Sequence, residues 1–112
     1  MAINIVYAES ELQQSAASIV YQVPSLKKYA VIEAVTVVNN GADDQSHSVW
    51  LIPKTTNPVA ANRYIKDKAV AAGSTIVDSE IVGQSLNSDD TIQCQANADA
   101  AISIRFTIKE VV

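Results

Sequence analysis

The chain predicts an all-β fold, a single β-sandwich of about eight antiparallel strands, jelly-roll or immunoglobulin-like. Three observations predict it. Valine, isoleucine and threonine come in short bursts, and β-branched side chains suit a pleated face better than a helix. Turn-type residues separate the bursts roughly every ten positions, the spacing of an all-β chain. All three glycines and all three prolines fall at burst ends or in loops, so pattern and punctuation agree.

The first burst is Ile3 to Ala8. Glu9 to Ala17, "ESELQQSAA", is rich in helix formers and reads as one helical turn or a polar loop. Beyond it, no window sustains a 3.6-residue period. Ser18 to Val23 is the second burst, stopped at Pro24, where a ladder would lose a donor. Tyr29 to Asn39 is the strongest. It places Val31, Val35 and Val37 on one face and Ala30, Ile32, Ala34 and Val38 on the other. Apolar residues on both faces mark a central or covered strand. After the turn cluster "NNGADDQS" comes His47 to Pro53, which holds the only tryptophan, and then the longer loop Lys54 to Asn62. Arg63 to Val70 and Thr75 to Val82 follow, each ended by a glycine turn, and "GQSLNSDD" reads as a further turn.

Two alternating segments close the chain. Ile92, Cys94, Ala96 and Ala98 form one inward row, and Ile102, Ile104, Phe106 and Ile108 form another. They read as a closing pair of strands. Their outward face, Gln93, Gln95, Ser103, Arg105 and Thr107, is mostly uncharged and turned to solvent or another subunit.

A length of 112 residues is one domain. Charged residues make up 18% of it, below the usual share of about a quarter. A surface covered by Ser, Thr, Asn, Gln and Ala repels itself weakly and suits packing against other subunits, though many sandwich surfaces share that composition. The net charge is -4 and the basic residues are scattered, with only Lys27-Lys28 adjacent. No basic stripe exists to displace counterions, so neither nucleic acid nor an anionic membrane is an expected partner. The start, "MAINIVYAES", lacks the features of a signal peptide. The longest apolar run, near Val49 to Leu51, falls far short of the ~20 residues of a bilayer span.

Catalytic candidates are few. Nucleophilic catalysis needs a base within reach of the nucleophile. The single histidine, His47, stands at a strand start with Ser46 and Ser48 on the opposite face. It reads as an exposed strand-end residue. Cys94 falls in an apolar row with no basic neighbour to lower its pKa, and reads as a core thiol. One cysteine and one histidine cannot build a zinc site. Asp43-Asp44 and Asp89-Asp90 offer oxygen ligands without the spacing of a calcium loop, and read as turns. Nothing singles out a glycosidase-type carboxylate pair among twelve acidic residues. Trp50, Tyr64, Tyr29 and Tyr21 are candidates for a sugar-binding platform, but aromatic residues near strand ends read more simply as core or inter-sheet packing. No glycine-rich phosphate loop is present. The expectation is a protein that is not an enzyme and needs no cofactor or metal.

Four stretches in order carry a family resemblance: "YQVPSLKKYAVIEAVTVVNN", "HSVWLIP", "AVAAGSTIVDSEIV" and "LNSDDTIQCQANADAAISIRFTIKEVV". Together they resemble small β-sandwich structural proteins of tailed-bacteriophage virions, namely capsid cement (decoration) proteins and related neck or tail components. The resemblance covers residues 19–112. The family pattern implies Gly-Asp before Thr-Ile, where this chain has Ser88-Asp89-Asp90.

The resemblance implies a homo-oligomer, trimeric at local three-fold positions, that binds the major capsid protein or other virion proteins. Its place is the virion, on the capsid surface or at the neck or tail, after synthesis in the host cytoplasm. A carbohydrate-binding tail module is the remaining alternative. Residues 1–18 lie outside the resemblance and read as an N-terminal strand or arm that would add as an edge strand to a neighbouring subunit or to the shell. The expected interaction residues are Ile3, Ile5, Tyr7, Trp50, Tyr64, Gln93, Gln95 and Arg105.

Overall fold

The computed structural model describes residues 2–26 and 29–112; Met1 and the Lys27-Lys28 pair lie outside them. The described residues form nine strands: β1 Ile3–Glu11, β2 Ser18–Gln22, β3 Tyr29–Asn39, β4 Gln45–Ile52, β5 Arg63–Val70, β6 Thr75–Val77, β7 Ser85–Asn87, β8 Thr91–Ala96 and β9 Ile102–Val111. They make two antiparallel sheets. The larger runs β1-β9-β3-β6, with β7 also beside β3, and the smaller runs β2-β8-β4-β5.

The pairing order decides between the two expected topologies. β1 pairs with β9, β2 with β8, β3 with β6, and β4 with β5. These pairs nest along the chain like a ribbon folded back at the β4–β5 connection. Rolling that ribbon into two layers brings β9 against β3 and β8 against β4. The result is a jelly-roll.

Several elements differ from the sequence reading, each for a local reason. Glu9 to Glu11 continues β1, because the ladder to β9 runs on through Glu11 opposite Ser103. Thr75 to Val82 is not one strand. β6 stops at Val77, and a single 3-10 turn at Ser79–Ile81 follows. The expected turn after Gly83 contains the short β7, which pairs with β3 at Tyr29 to Val31.

In β3 a bulge at Glu33 shifts the register between Ile32 and Ala34. The inward row is therefore Ala30, Ile32, Val35 and Val37, all fully buried, rather than the two unbroken rows that strict alternation gives. β3 is central, with β9 on one side and β6 and β7 on the other.

The core lies between the sheets. β9 contributes Ile102, Ile104, Phe106 and Ile108, and β8 contributes Ile92, Cys94 and Ala96. Those two inward rows follow the expected alternation, although Ala98 lies past the end of β8. β8 and β9 are not a pair, however. They belong to opposite sheets, so their outward residues face opposite ways.

Candidate functional site

The polar residues inside the sandwich come first, because any chemistry would begin there. On β4, His47 alternates with Val49 and Leu51 and points inward, 1% exposed. It is therefore not an exposed strand-end histidine. Its Nε2 lies 2.6 Å from Oδ2 of Asp78, which is fully buried just beyond β6. Lys68 of β5 lies 3.0 Å from the other Asp78 oxygen and also pairs with Glu80 at 2.9 Å.

Burial works against charge on Asp78, but His47 and Lys68 outweigh it and hold the carboxyl below its ordinary range. Burial likewise opposes charge on Lys68, and Glu80 and Asp78 overcome it to raise the ammonium. This cluster ties the two sheets together. A second tie is Tyr21 Oη donating to Glu110 at 2.5 Å. Burial, then the Glu110 bond and charge, push that phenol up.

Among the described residues, the partner that His47 meets is Asp78, and Cys94 is fully buried. Burial, with Asp78 adding to it, pushes the Cys94 thiol up, so it stays protonated and unreactive.

Among the described residues, no group of three His, Cys, Asp or Glu is placed to hold a metal. The acidic pair Asp89-Asp90 builds a turn. Asp89 takes φ +70°, the left-handed conformation that glycine adopts most readily. It accepts from Ser25 Oγ at 2.5 Å. Asp90 accepts from the backbone of Lys54 and Asn87, at 2.8 and 2.9 Å.

What remains is surface. The outer face of the larger sheet gathers Ile3, Ile5 and Tyr7 from β1, Tyr29, Val31 and Val38 from β3, and Val77 from β6. Ile3, Ile5, Tyr7, Tyr29 and Val77 are all exposed, Val77 at 64%. Charge is confined to a few side chains. Arg105 of β9 stacks its guanidinium 4.5 Å from the Tyr7 ring and pairs with Glu9 at 3.1 Å. Lys109 pairs with Glu33 at 3.3 Å. A hollow of about 530 Å³ opens beside them, lined by Glu9, Glu11, Thr36, Val38, Ser103 and Arg105. A broad apolar face with paired charges suits a protein surface better than a small ligand.

The expected interaction residues thus divide between two faces. Ile3, Ile5, Tyr7 and Arg105 come together on the larger sheet. Trp50 and Gln93 are direct partners on the outer face of the smaller sheet, and Gln95 lies opposite Ser48 there. Tyr64 is exposed at a register shift in edge strand β5.

The aromatic residues do not converge. Trp50 is 7% exposed, with the Arg63 guanidinium 5.1 Å over its ring. Tyr21 points between the sheets and Tyr29 lies on the larger one. Beside Trp50, a polar hollow of about 230 Å³ is lined by Gln14, Ser48, Arg63, Asp67, Gln95 and Asn97.

Sequence reasoning missed Tyr29, Val31 and Val77 as members of the apolar face, and Asp78 as a buried charge. Asp78 shares its parity with the inward-facing Ile76 of β6. A carboxylate at an inward position must find a partner, and that was the available signal.

No protein-family model matches the sequence, and no curated protein matches it. Solved structures do. A chain described with Bacillus endospore appendages, a novel family of disulfide-linked pili, is 16% identical with a TM-score of 0.56, covering 99% of this chain and 88% of that one. A chain from the capsid of Ralstonia phage GP4 is 14% identical with a TM-score of 0.55, covering 98% of this chain and 84% of that one. A chain of the T13 IBDV viral particle is 6% identical with a TM-score of 0.55; the match covers 97% of this chain and only 31% of that one. At these identities the likeness is one of fold.

Proposed function

We propose that this chain is a structural subunit of a tailed-bacteriophage virion. It acts as a capsid cement or decoration protein, binding the major capsid protein on the outer shell as an oligomer, a trimer at local three-fold positions, and stabilising the shell. The carrying observation is the outer face of the larger sheet, where exposed Ile3, Ile5, Tyr7, Tyr29 and Val77 share one surface. Exposed apolar side chains gathered on one face of a sheet mark a surface that another molecule covers. The shell is its proposed cover, and many weak contacts add up by avidity.

Two further points support the reading. The match to the phage-capsid chain spans nearly all of both chains, so it relates molecules of similar size. The pilus match is to disulfide-linked subunits, whereas Cys94, the only cysteine, is buried and offers no thiol for such a link.

The test is to add purified protein to phage shells that lack it. Saturation at a fixed, large number of copies with a raised shell-disruption temperature is expected. Binding of only a ring of copies at one vertex would favour a neck or tail component. Absence of binding to shells or tails would end the reading.

A further inference from the structure

Among the described residues no strand lies beyond β1 in its sheet, and that free edge carries the inference. In an antiparallel ladder, a residue exchanges both backbone hydrogen bonds with the residue opposite, or neither. At one end of β1, Leu12 N–H donates to the Ile102 carbonyl at 2.8 Å; at the other, Val112 N–H donates to the Ala2 carbonyl at 3.0 Å. The register between them is unbroken. Even-numbered residues therefore bond to β9. The N–H and C=O groups of Ile3, Ile5, Tyr7 and Glu9 point the other way, off the sheet. Their side chains stand on the outer face, with Ile3, Ile5 and Tyr7 more than half exposed.

The other edges are protected. β5 carries Lys66, Asp67 and Lys68, with Asp67 at φ +45° inside a register shift. β2 has five residues and a register shift of its own. β6 and β7 have three residues each. β1 has nine, with no proline, glycine or lysine and no shift. A long, regular, apolar edge of this kind is a template for another strand.

We propose that β1 pairs antiparallel with β1 of a second copy about a two-fold axis, so that one sheet runs through both molecules. A foreign strand would cover this edge and present a new one. A second copy covers it and is covered in return, and the contact closes.

The side-chain pattern sets the register. Centring on Ile5 places Ile5 opposite Ile5, and Ile3 of one copy opposite Tyr7 of the other. Glu9 then falls beyond the apolar stretch. Sliding the strands toward their C-terminal ends instead places Glu9 opposite Ile3, then Ile5, then Tyr7, and in the end another Glu9. The contact is two-fold, so it is distinct from any three-fold contact; where copies also group in threes, it joins one trimer to the next. It concerns the chain with itself and does not depend on the shell-binding reading, which can fail separately.

The test uses the purified full chain without shells. The native protein should sediment as an even-numbered species. Ile5→Lys should lose that association while keeping the native circular dichroism. Ile5→Pro should do the same, because the N–H it removes faces outward. Directly opposed, hydrogen-bonded residues lie about 5.5 Å apart at Cα, within the reach of a disulfide. Ile5→Cys should therefore cross-link to itself on mild oxidation. Ile3→Cys and Tyr7→Cys should cross-link only when mixed.

A native chain that stays monomeric at all concentrations would overturn the proposal. So would association unchanged in Ile5→Lys, or self-cross-linking of Ile3→Cys as ready as that of Ile5→Cys. Should Ile5→Pro fail to fold, Ile5→Lys and the cysteine pairs decide.

Discussion

Asp78 shows what a single residue does in this sandwich. Its side chain is fully buried, and its charge is held by His47 from the opposite sheet and by Lys68. Removing one member of such a cluster strands the others, which typically costs about 3 kcal/mol or more. Asp78→Asn should therefore lower unfolding stability by about 3 kcal/mol near neutral pH, read from urea melts.

The pH dependence has a definite sign. The folded carboxyl lies below its ordinary value of 3.8. Its contribution is thus complete above that value and is lost as pH falls through the lower, folded value. The gap between native protein and variant should narrow below pH 3.8. A gap that stays constant down to complete acid unfolding would show that the carboxylate charge contributes nothing.

At the scale of the element, the β3 bulge decides which side chains are inside. Glu33 is the extra residue: Ile32 pairs with Ile108, and Ala34 with Thr107. Deleting Glu33 keeps Ala30, Ile32, Val35 and Val37 on the inward side. It removes an exposed ion pair with Lys109, worth about 1 kcal/mol at most. Deleting Thr36 instead turns Val37 and Asn39 outward, the whole-face inversion that a one-residue slip produces. Asn39 is fully buried and binds the carbonyls of Asp43 and Val70 at 2.9 Å. The Glu33 deletion should fold with a modestly lowered melting temperature, and the Thr36 deletion should not fold. Equal outcomes would mean that the bulge is needed for more than register.

The same bulge explains the limits of reading this sequence. β8 and β9 have no register shift in their inward rows, so alternation placed Ile92, Cys94, Ile104 and Phe106 correctly. β3 and β5 are bulged, and beyond each bulge the parity reverses. That hid the inward turn of Lys68 and gave β3 two apolar faces. The split of Gln93 and Arg105 onto opposite sides of the molecule is a matter of topology, and no local pattern encodes it.

For the whole molecule, the roll places two different surfaces back to back. The smaller sheet presents Gln93, Gln95 and Arg63 over a covered Ser48 and Trp50. The larger sheet presents the apolar face, bounded at one side by the free edge of β1. If the larger face seats on a shell, its far side can be tested without touching that edge. Val77 on β6 and Tyr29 at the start of β3 are exposed and lie away from β1, beyond the intervening β9. Exposed substitutions of this kind shift stability by about 0.5 kcal/mol or less. A Val77→Asp, Tyr29→Asp double variant should therefore melt nearly as the native chain does. It should also keep any self-association through β1, yet fail to saturate shells, because an unpaired carboxylate at a closed interface must be desolvated without a partner. Shell binding that survives the double variant but is lost with substitutions at Gln93 and Gln95 would show that the smaller sheet, and not the larger, is the face that meets the capsid.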